Sequence, residues 1–181
     1  MKIVSKNVFV GPNVWAGFPV IRYVIDLGVL EEWPSARIGE DWINALVEAL
    51  PGLHEHGCSY REPGGFIRRL REGEGTWLGH VAEHVALEIQ GVAGSEVTFG
   101  RTRSTGVPGQ YNLVYQYHQR DVGLEAGQLA IRLLMHLLPD HLKSQVEYEF
   151  DPEFDFPDEL KSFVLMAQRK EFGPSTGSLV K

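Results

Sequence analysis

The sequence has few of the features that mark secretion or membrane insertion. It contains one cysteine, Cys58, in 181 residues, which excludes a disulfide within the chain. No stretch approaches the roughly 18 consecutive apolar residues of a membrane-spanning helix. Residues 1–6 also lack the apolar run that is typical of a signal peptide. We therefore expect a cytoplasmic protein that does not associate with a membrane.

Positively charged residues are also scarce. Lysine and arginine total 17 against 24 aspartates and glutamates, which gives a formal net charge of −7. Because an acidic protein repels phosphate backbones, this balance argues against a nucleic-acid partner and favours a cationic or zwitterionic ligand. The remaining composition, with 43% hydrophobic and 10% aromatic residues, is sufficient to form one buried core.

The hydrophobic pattern predicts strands interleaved with helices. Strands are predicted at residues 2–10, 20–27, 96–99 and 110–118, with a loop or short strand at 53–59. Helices are predicted at residues 40–50, 66–71, 77–92, 121–138 and 158–170, with Thr76 as the N-cap of the helix 77–92. This order predicts an α+β fold in which a mixed or antiparallel sheet packs on one side against two long helices.

From residue 146 onward, acidic and aromatic residues alternate, which indicates an acidic C-terminal connector. We therefore expect one domain at residues 1–145, followed by the connector at residues 146–181.

The segment 79–88 carries the clearest chemical signal. It contains His80, Glu83 and His84 in the His-x-x-Glu-His spacing of one class of zinc hydrolases. On a helix, residues four apart lie one turn above each other, so a single Zn²⁺ can bind both imidazoles. Glu83 is then placed to accept a proton from water as a general base. The alternative is a structural helix whose two histidines are hydrogen-bonded within the fold.

A third zinc ligand has to come from another segment. We rank Cys58 first, because one thiolate and two imidazoles leave the fourth position of a tetrahedral zinc open. His56 is the rival ligand, or otherwise a residue that supports the ligands, and His54 is a weaker candidate. Glu88 lies two turns beyond His80, about 12 Å along the helix, so we expect it to orient a histidine rather than bind the ion.

Two arginines and a tyrosine are candidate substrate-binding residues. Arg101 and Arg103 follow the strand predicted at 96–99 and lie among glycines. A guanidinium there can bind a substrate carboxylate or stabilise a tetrahedral oxyanion. Tyr111 could donate a hydrogen bond to the same oxyanion, although the alternating pattern around it is more typical of a sheet residue. Surface charges without a specific role remain the alternative for the arginines, more so for Arg103 than for Arg101.

Several segments resemble the N-terminal domain of cyanophycin synthetases. They are residues 11–15, 50–59, 79–90, 99–103 and 108–112, and the resemblance extends over most of residues 1–165. Members of this family join the domain to an ATP-grasp ligase and a Mur-ligase-like module, and they build a poly-aspartate polymer that bears arginine side chains. Residues 173–181 resemble the entry to the ATP-grasp module, so we expect this chain to lack both ligase modules and to bind no ATP.

The resemblance implies that the domain binds cyanophycin, multi-L-arginyl-poly-L-aspartate, and in some members cleaves it internally to make primers. It also implies a Zn²⁺ site at His80, His84 and Cys58, with Glu83 and Arg101 as catalytic residues. The expected protein partners are the ligase modules of a parent chain that forms a homo-oligomer. Two alternatives remain: a non-catalytic polymer-anchoring domain with a structural histidine-rich helix, and an unrelated zinc peptidase that acts on basic peptides.

Overall fold

Four strands form an antiparallel sheet in this computed structural model, which describes residues 1–58 and 61–171, the last two through their backbone only. The strands are β1 (Lys2–Phe9), β2 (Val20–Asp26), β3 (Gly100–Ser104) and β4 (Gln110–Gln116). Their order across the sheet is β1-β2-β4-β3, with every neighbouring pair antiparallel. Strand β3 therefore lies at an edge, beside the central strand β4.

The helices account for most of the remaining described residues. They are α1 (Ser35–Ile38), α2 (Glu40–Ala49), α3 (Gly65–Arg71), α4 (Leu78–Val92), α5 (Arg120–His136), α6 (Asp140–Lys143) and α7 (Phe156–Glu171). Helices α4 and α5 pack against each other and against the sheet, α4 over β3 and β4 and α5 over β2. The predicted α+β class is therefore confirmed, with the antiparallel form of the sheet and two long helices on one side.

The central strand β2 shows why the helices lie on that side. Ile21, Tyr23 and Ile25 alternate along the strand and are fully buried, as expected for the face of a sheet that packs against helices. The Tyr23 hydroxyl donates a hydrogen bond of 2.6 Å to the carbonyl of Leu124 in α5. Tyr23 also stacks on Tyr115 of β4, with ring centroids 6.2 Å apart. Helix α5 is thus held by aromatic side chains that rise from two adjacent strands.

Three local predictions were wrong. Residues 96–99 form no strand, and the edge strand begins at Gly100, so Arg101 and Arg103 lie within a strand rather than after one. Thr76 does not cap α4, because Trp77 occupies the N-cap position and makes no capping hydrogen bond with its side chain. The segment predicted as a loop or short strand starts with a 3₁₀ helix, Pro51–Glu55.

The acidic segment after residue 146 packs onto the rest of the molecule. Its side chains Phe154, Phe156 and Phe163 are buried in the same hydrophobic core as the sheet and the long helices. Arg132 of α5 donates a hydrogen bond of 2.8 Å to Glu159 in α7. The domain boundary at residue 145 remains a prediction, and the ATP-grasp-like segment 173–181 lies outside the described residues. No described helix is both long enough and apolar enough to span a bilayer.

Candidate metal centre

Helix α4 directs three chemically active side chains into one cleft of ≈840 Å³. His80, Glu83 and His84 line this cleft, and Cys58 and Arg101 line it from two other segments. The imidazole centroids of His80 and His84 are 4.9 Å apart, as expected for residues one helical turn apart. Because the opposite side of α4 is buried against α5 and the sheet, the position of these groups is fixed by the core.

Cys58, His80 and His84 form a possible metal-binding group. Each offers one ligand atom, and these three atoms all lie within 4.8 Å of one another. The Cys58 Sγ atom is 3.4 Å from Nε2 of His80. One sulfur and two imidazole nitrogens are a donor set that suits zinc and other borderline metal ions. The structure therefore brings together the three residues that the sequence suggested as ligands.

The backbone at Cys58 has an unusual conformation. Its φ angle is +49°, in the left-handed region that non-glycine residues rarely adopt. Such conformations cost about 1–3 kcal/mol and are concentrated at functional sites, where the surrounding structure holds them. The residue with this unusual backbone conformation is therefore the same one whose thiol contacts a histidine of helix α4.

The orientation of His80 is fixed by a contact with Thr76, which lies just before helix α4. Its Nδ1 atom lies 2.9 Å from the Thr76 hydroxyl oxygen. When Nδ1–H donates to this oxygen, Nε2 keeps its lone pair and faces the Cys58 sulfur. Burial, together with the positive charge of Arg69, lowers the pKa of His80 from 6.5 to about 4. The imidazole is therefore neutral at pH 7, the form that binds metal.

A chain of hydrogen bonds supports His84 from the opposite side. Glu88 Oε2 lies 3.0 Å from His56 Nε2, and His56 Nδ1 lies 2.9 Å from His84 Nδ1. If His56 donates from Nε2 to the carboxylate, it accepts at Nδ1 from His84, whose Nε2 then carries a free lone pair. Phe66 stacks on the His84 ring with centroids 3.9 Å apart. Burial, followed by the charges of His80 and His56, lowers the pKa of His84 to about 2.

The Glu83 carboxyl group is buried and accepts a hydrogen bond from a neighbouring strand. It is 5% exposed, and its Oε2 accepts a hydrogen bond of 2.6 Å from the Thr102 hydroxyl on β3. Burial raises its pKa from 4.5 to about 7, although Thr102 and Arg101 act in the opposite direction. A carboxyl group with a pKa near neutrality can both accept and return a proton at physiological pH.

Glycine at position 100 makes room for this carboxyl group. A Cβ atom at residue 100 would lie 2.6 Å from Glu83 Cγ and 2.7 Å from Cδ, closer than side-chain carbons approach each other. The edge strand can therefore lie against Glu83 only because this residue has no side chain.

Among the other residues that the sequence suggested for the site, some line the cleft and some lie away from it. Arg101 is exposed, lines the cleft and acts through its charge on Glu83. Arg103 lies two residues further along β3 and is not among the described residues that line the cleft. The Tyr111 hydroxyl donates a hydrogen bond of 2.6 Å to Glu31, also away from the cleft. His54 is exposed and does not line it either.

Thr76, Thr102 and Phe66 contact the candidate site but were not identified from the sequence. The signal for Thr102 was its position between Arg101 and Arg103. Had residues 100–104 been predicted as a strand, the alternation of side chains would have placed Thr102 on the face opposite the arginines and towards α4.

Comparison with known proteins places the chain in a family. Residues 22–139 match the family model of the cyanophycin synthase-like N-terminal domain. The chain is 40% identical over 182 residues to a cyanophycin synthetase of Synechocystis sp., a match that covers 99% of this chain and 20% of that protein. It is 37% identical over 183 residues to a cyanophycin synthetase of Geminocystis herdmanii, covering 100% of this chain and 20% of that protein. It is 40% identical over 183 residues to a cyanophycin synthetase of Trichormus variabilis, covering 100% of this chain and 19% of that protein.

The match with the family model extends over more than half of the chain, from β2 to the end of α5. The chain spans about a fifth of the length of the curated relatives that it matches. The resemblance noted in the sequence is confirmed, and the chain belongs to the family of cyanophycin synthase-like N-terminal domains.

Proposed function

We propose that this domain binds an aspartate–arginine polymer of the cyanophycin type and hydrolyses its backbone amides to generate primers. One observation carries the proposal: a buried carboxyl group with a raised pKa, Glu83, lines the same cleft as the Cys58, His80 and His84 donors. The names of the relatives support the choice of polymer. The net charge of −7 is also suited to a ligand that carries many guanidinium groups.

Zinc is the metal that we propose for this centre. The residues present fit it, because two imidazoles that stay neutral at pH 7 and a thiol offer three converging donor atoms. A bound Zn²⁺ supplies Lewis acidity and makes water a nucleophile near neutral pH. The contacts of Thr76 and His56 would hold both imidazoles with Nε2 available as the ligand atom.

Glu83 is the proposed general base. In the metal-free chain, burial raises the pKa of Glu83 to about 7, and a cation bound beside it would lower that pKa, so the ionised carboxylate can accept a proton from the attacking water. Accepting that proton leaves Glu83 as a carboxylic acid, which can then give the proton to the leaving amine. Thr102 donates to one carboxylate oxygen and so holds the group in the orientation that the cleft requires.

Arg101 is the proposed electrophilic residue. Arg101 lines the cleft and its positive charge acts on Glu83, so its guanidinium can bind a substrate carboxylate or the oxyanion that forms on the attacked carbonyl. In the longer relatives, we expect polymer synthesis to reside in the ATP-grasp and Mur-ligase-like modules of a homo-oligomeric parent chain. This domain would then provide primers for those modules.

The proposal is tested by incubating the purified chain with insoluble cyanophycin and measuring the release of soluble fragments. We expect release by the wild type, its loss in a chelator and its recovery with Zn²⁺. Glu83→Gln should reduce the rate by at least about a hundredfold while polymer binding is retained. Glu48→Gln removes the same charge from an exposed position on α2 and should leave the rate unchanged. Fragment release by Glu83→Gln at the wild-type rate would exclude this carboxyl group as the base.

A non-catalytic anchoring domain is the second candidate. The observation that favours it is that both helix histidines already have hydrogen-bond partners, in Thr76 and His56, without any metal ion. Metal content separates the two candidates. A zinc centre predicts close to one Zn²⁺ per chain by mass spectrometry and a reduced content in Cys58→Ser, whereas a structural helix predicts no metal in either protein.

A further inference from the structure

Glu88 takes no part in the proposed hydrolysis, yet its carboxylate ends a chain of contacts that reaches a metal-binding histidine. It lies one helical turn after His84 on α4, so both side chains are on the same side of the helix. His56 bridges them, with its Nε2 atom 3.0 Å from Glu88 Oε2 and its Nδ1 atom 2.9 Å from His84 Nδ1. The side chains of Glu88 and His56 are only 15% and 18% exposed, so water offers them few other partners.

The backbone of the bridging residue is held on both sides. The N–H group of His56 donates a hydrogen bond of 3.3 Å to the carbonyl of Leu53, in the 3₁₀ helix. The His56 carbonyl accepts a hydrogen bond of 2.9 Å from the N–H group of Phe66, in α3. Since Phe66 also stacks on the His84 ring, the same residue holds both imidazoles of the pair.

The close approach of Gly52 shows that the fold makes room for this carboxylate. A Cβ atom at residue 52 would overlap Oε1 of Glu88 and lie 2.6 Å from its Cδ atom. Gly52 is not among the glycines with a positive φ angle, so the backbone itself would accept another residue. The carboxylate of Glu88 is therefore what excludes a side chain at this position.

A carboxylate imposes a direction on the hydrogen bonds that lead to His84. Because it only accepts, its contact with His56 requires the proton of that imidazole on Nε2. The neutral ring then accepts at Nδ1 from Nδ1–H of His84, which leaves the lone pair of His84 on Nε2. The contact of Thr76 with His80 has no such direction, since a hydroxyl group can both donate and accept.

We infer that Glu88 is a positioning residue: through His56 it places the proton of His84 on Nδ1, and it thereby raises the affinity of the centre for its metal ion. Gly52 is the residue that admits its carboxylate. The inference rests on the zinc centre of the proposed function. Carboxylates that orient a ligand histidine fix its ring and its protonated nitrogen, and their loss weakens metal binding by about 10–100-fold.

Zinc affinity tests the inference without any polymer. The dissociation constant is measured by competition with a chromogenic chelator. Glu88→Gln preserves the shape of the side chain, but its amide can donate as well as accept, so it no longer dictates the proton position on His56. Gly52→Ala keeps the carboxylate and displaces it. The matched controls are Glu48→Gln, at an exposed position on α2, and Gly17→Ala, where a Cβ atom meets nothing within 4 Å.

We expect zinc affinity to fall by at least about tenfold in Glu88→Gln and in Gly52→Ala, and to stay within about twofold of the wild type in both controls. Unchanged zinc affinity in Glu88→Gln would overturn the inference. A loss of equal size in Glu48→Gln would overturn it as well, because the effect would then come from net charge rather than from the contact with His56.

A second measurement separates proton placement from a general loss of structure. In the metal-free protein, nitrogen NMR of the imidazoles should show the proton of His84 on Nδ1 in the wild type. In Glu88→Gln, it should show exchange of this proton between Nδ1 and Nε2, while the circular dichroism spectrum stays unchanged. A proton on Nε2 of His84 in the wild type would overturn the inference.

Neither measurement depends on hydrolysis. If zinc affinity depends on Glu88 as expected but the wild type releases no polymer fragments, the proposed hydrolase fails and the role of Glu88 stands. If the wild type cleaves the polymer with zinc and Glu88→Gln binds zinc as tightly as the wild type, only the present inference fails.

Discussion

The position of the Glu83 carboxyl group depends on a residue that has no side chain. A methyl group at Gly100 would come within 2.7 Å of two Glu83 carbons, so Gly100→Ala must displace the carboxyl group or the edge strand. We expect polymer cleavage to decrease by at least about tenfold, while the circular dichroism spectrum stays unchanged. Gly17→Ala is the matched control, because a Cβ atom there meets nothing within 4 Å. Full activity in Gly100→Ala would mean that Glu83 tolerates displacement and does not act as the base.

The buried ionisable groups also predict how the stability of the metal-free protein depends on pH. Folding lowers the pKa of His80 from 6.5 to about 4 and that of His84 from 6.5 to about 2, and it raises the pKa of Glu83 from 4.5 to about 7. Between pH 4.5 and 6.5, the unfolded chain therefore holds two more protons on the histidines, and the folded protein holds one more on Glu83. The net difference is one proton in favour of the unfolded chain, so stability increases with pH.

The expected slope is about 1.4 kcal/mol per pH unit, measured by urea unfolding in chelator at pH values of about 5 and about 6. Glu83→Gln removes the opposing carboxyl group, and the slope should then rise to about 2.7 kcal/mol per unit. A slope that is the same in both proteins would show that Glu83 does not keep its proton in the folded state.

At the level of residues, the sequence predicted contacts within one helix better than contacts between segments. The spacing of His80, Glu83 and His84 is a property of any helix, so their common orientation followed from the pattern alone. The contact of His56 with His84 joins residues 28 positions apart and depends on how the 3₁₀ helix packs against α4. The same limit applies to Tyr111, whose partner Glu31 is 80 positions away.

Among the secondary-structure elements, α5 approaches the sheet closely where it carries glycine. A Cβ atom at Gly127 would overlap the hydroxyl of Tyr115 and lie 2.9 Å from Cε2 of Tyr23. We expect Gly127→Ala to destabilise the protein by about 1–3 kcal/mol in urea unfolding, despite the higher helix propensity of alanine. At Gly91 on α4, by contrast, a Cβ atom meets nothing within 4 Å, so Gly91→Ala should stabilise the protein by about 0.5–1 kcal/mol. Equal changes in the free energy of unfolding for Gly127→Ala and Gly91→Ala would contradict the close packing of Gly127 against Tyr115 and Tyr23.

The strand that the sequence missed shows which elements the hydrophobic pattern detects. Strand β2 is central and buries every second residue, so its alternation was evident. Strand β3 lies at the sheet edge, and its sequence Gly-Arg-Thr-Arg-Ser has no apolar residue. Its place in the sheet comes from pairing with β4 and from the Thr102 contact with α4, and neither leaves a signal in local hydrophobicity.

For the whole molecule, the acidic segment is part of the folded body. Phe163 on α7 is 3% exposed and lies in the common core, whereas Leu165 on the same helix is 46% exposed. We expect Phe163→Ala to cost about 3–5 kcal/mol in urea unfolding and Leu165→Ala less than about 1 kcal/mol. A small effect of Phe163→Ala would indicate that α7 is a separate appendage, as the predicted boundary at residue 145 implies.

The fold class could be predicted because it depends on properties that the sequence displays directly. Two long amphipathic helices and alternating strands define an α+β molecule whatever the details of its loops. The sequence left open whether the aromatic residues of the segment after residue 146 pack against the body, since alternating acidic and aromatic residues are equally typical of an exposed connector. Only the contacts of α7 with α5 show that the aromatic side chains are buried.

Arg101 lies on the edge strand β3 and also lines the metal cleft. Under the proposed function, a polymer that Arg101 holds by a carboxylate after a cut would keep its new end beside the cleft. The next cut would then need only a short slide of the chain rather than release and recapture from solution. We therefore expect processive trimming, in which each encounter yields several fragments before the enzyme moves to another strand of polymer.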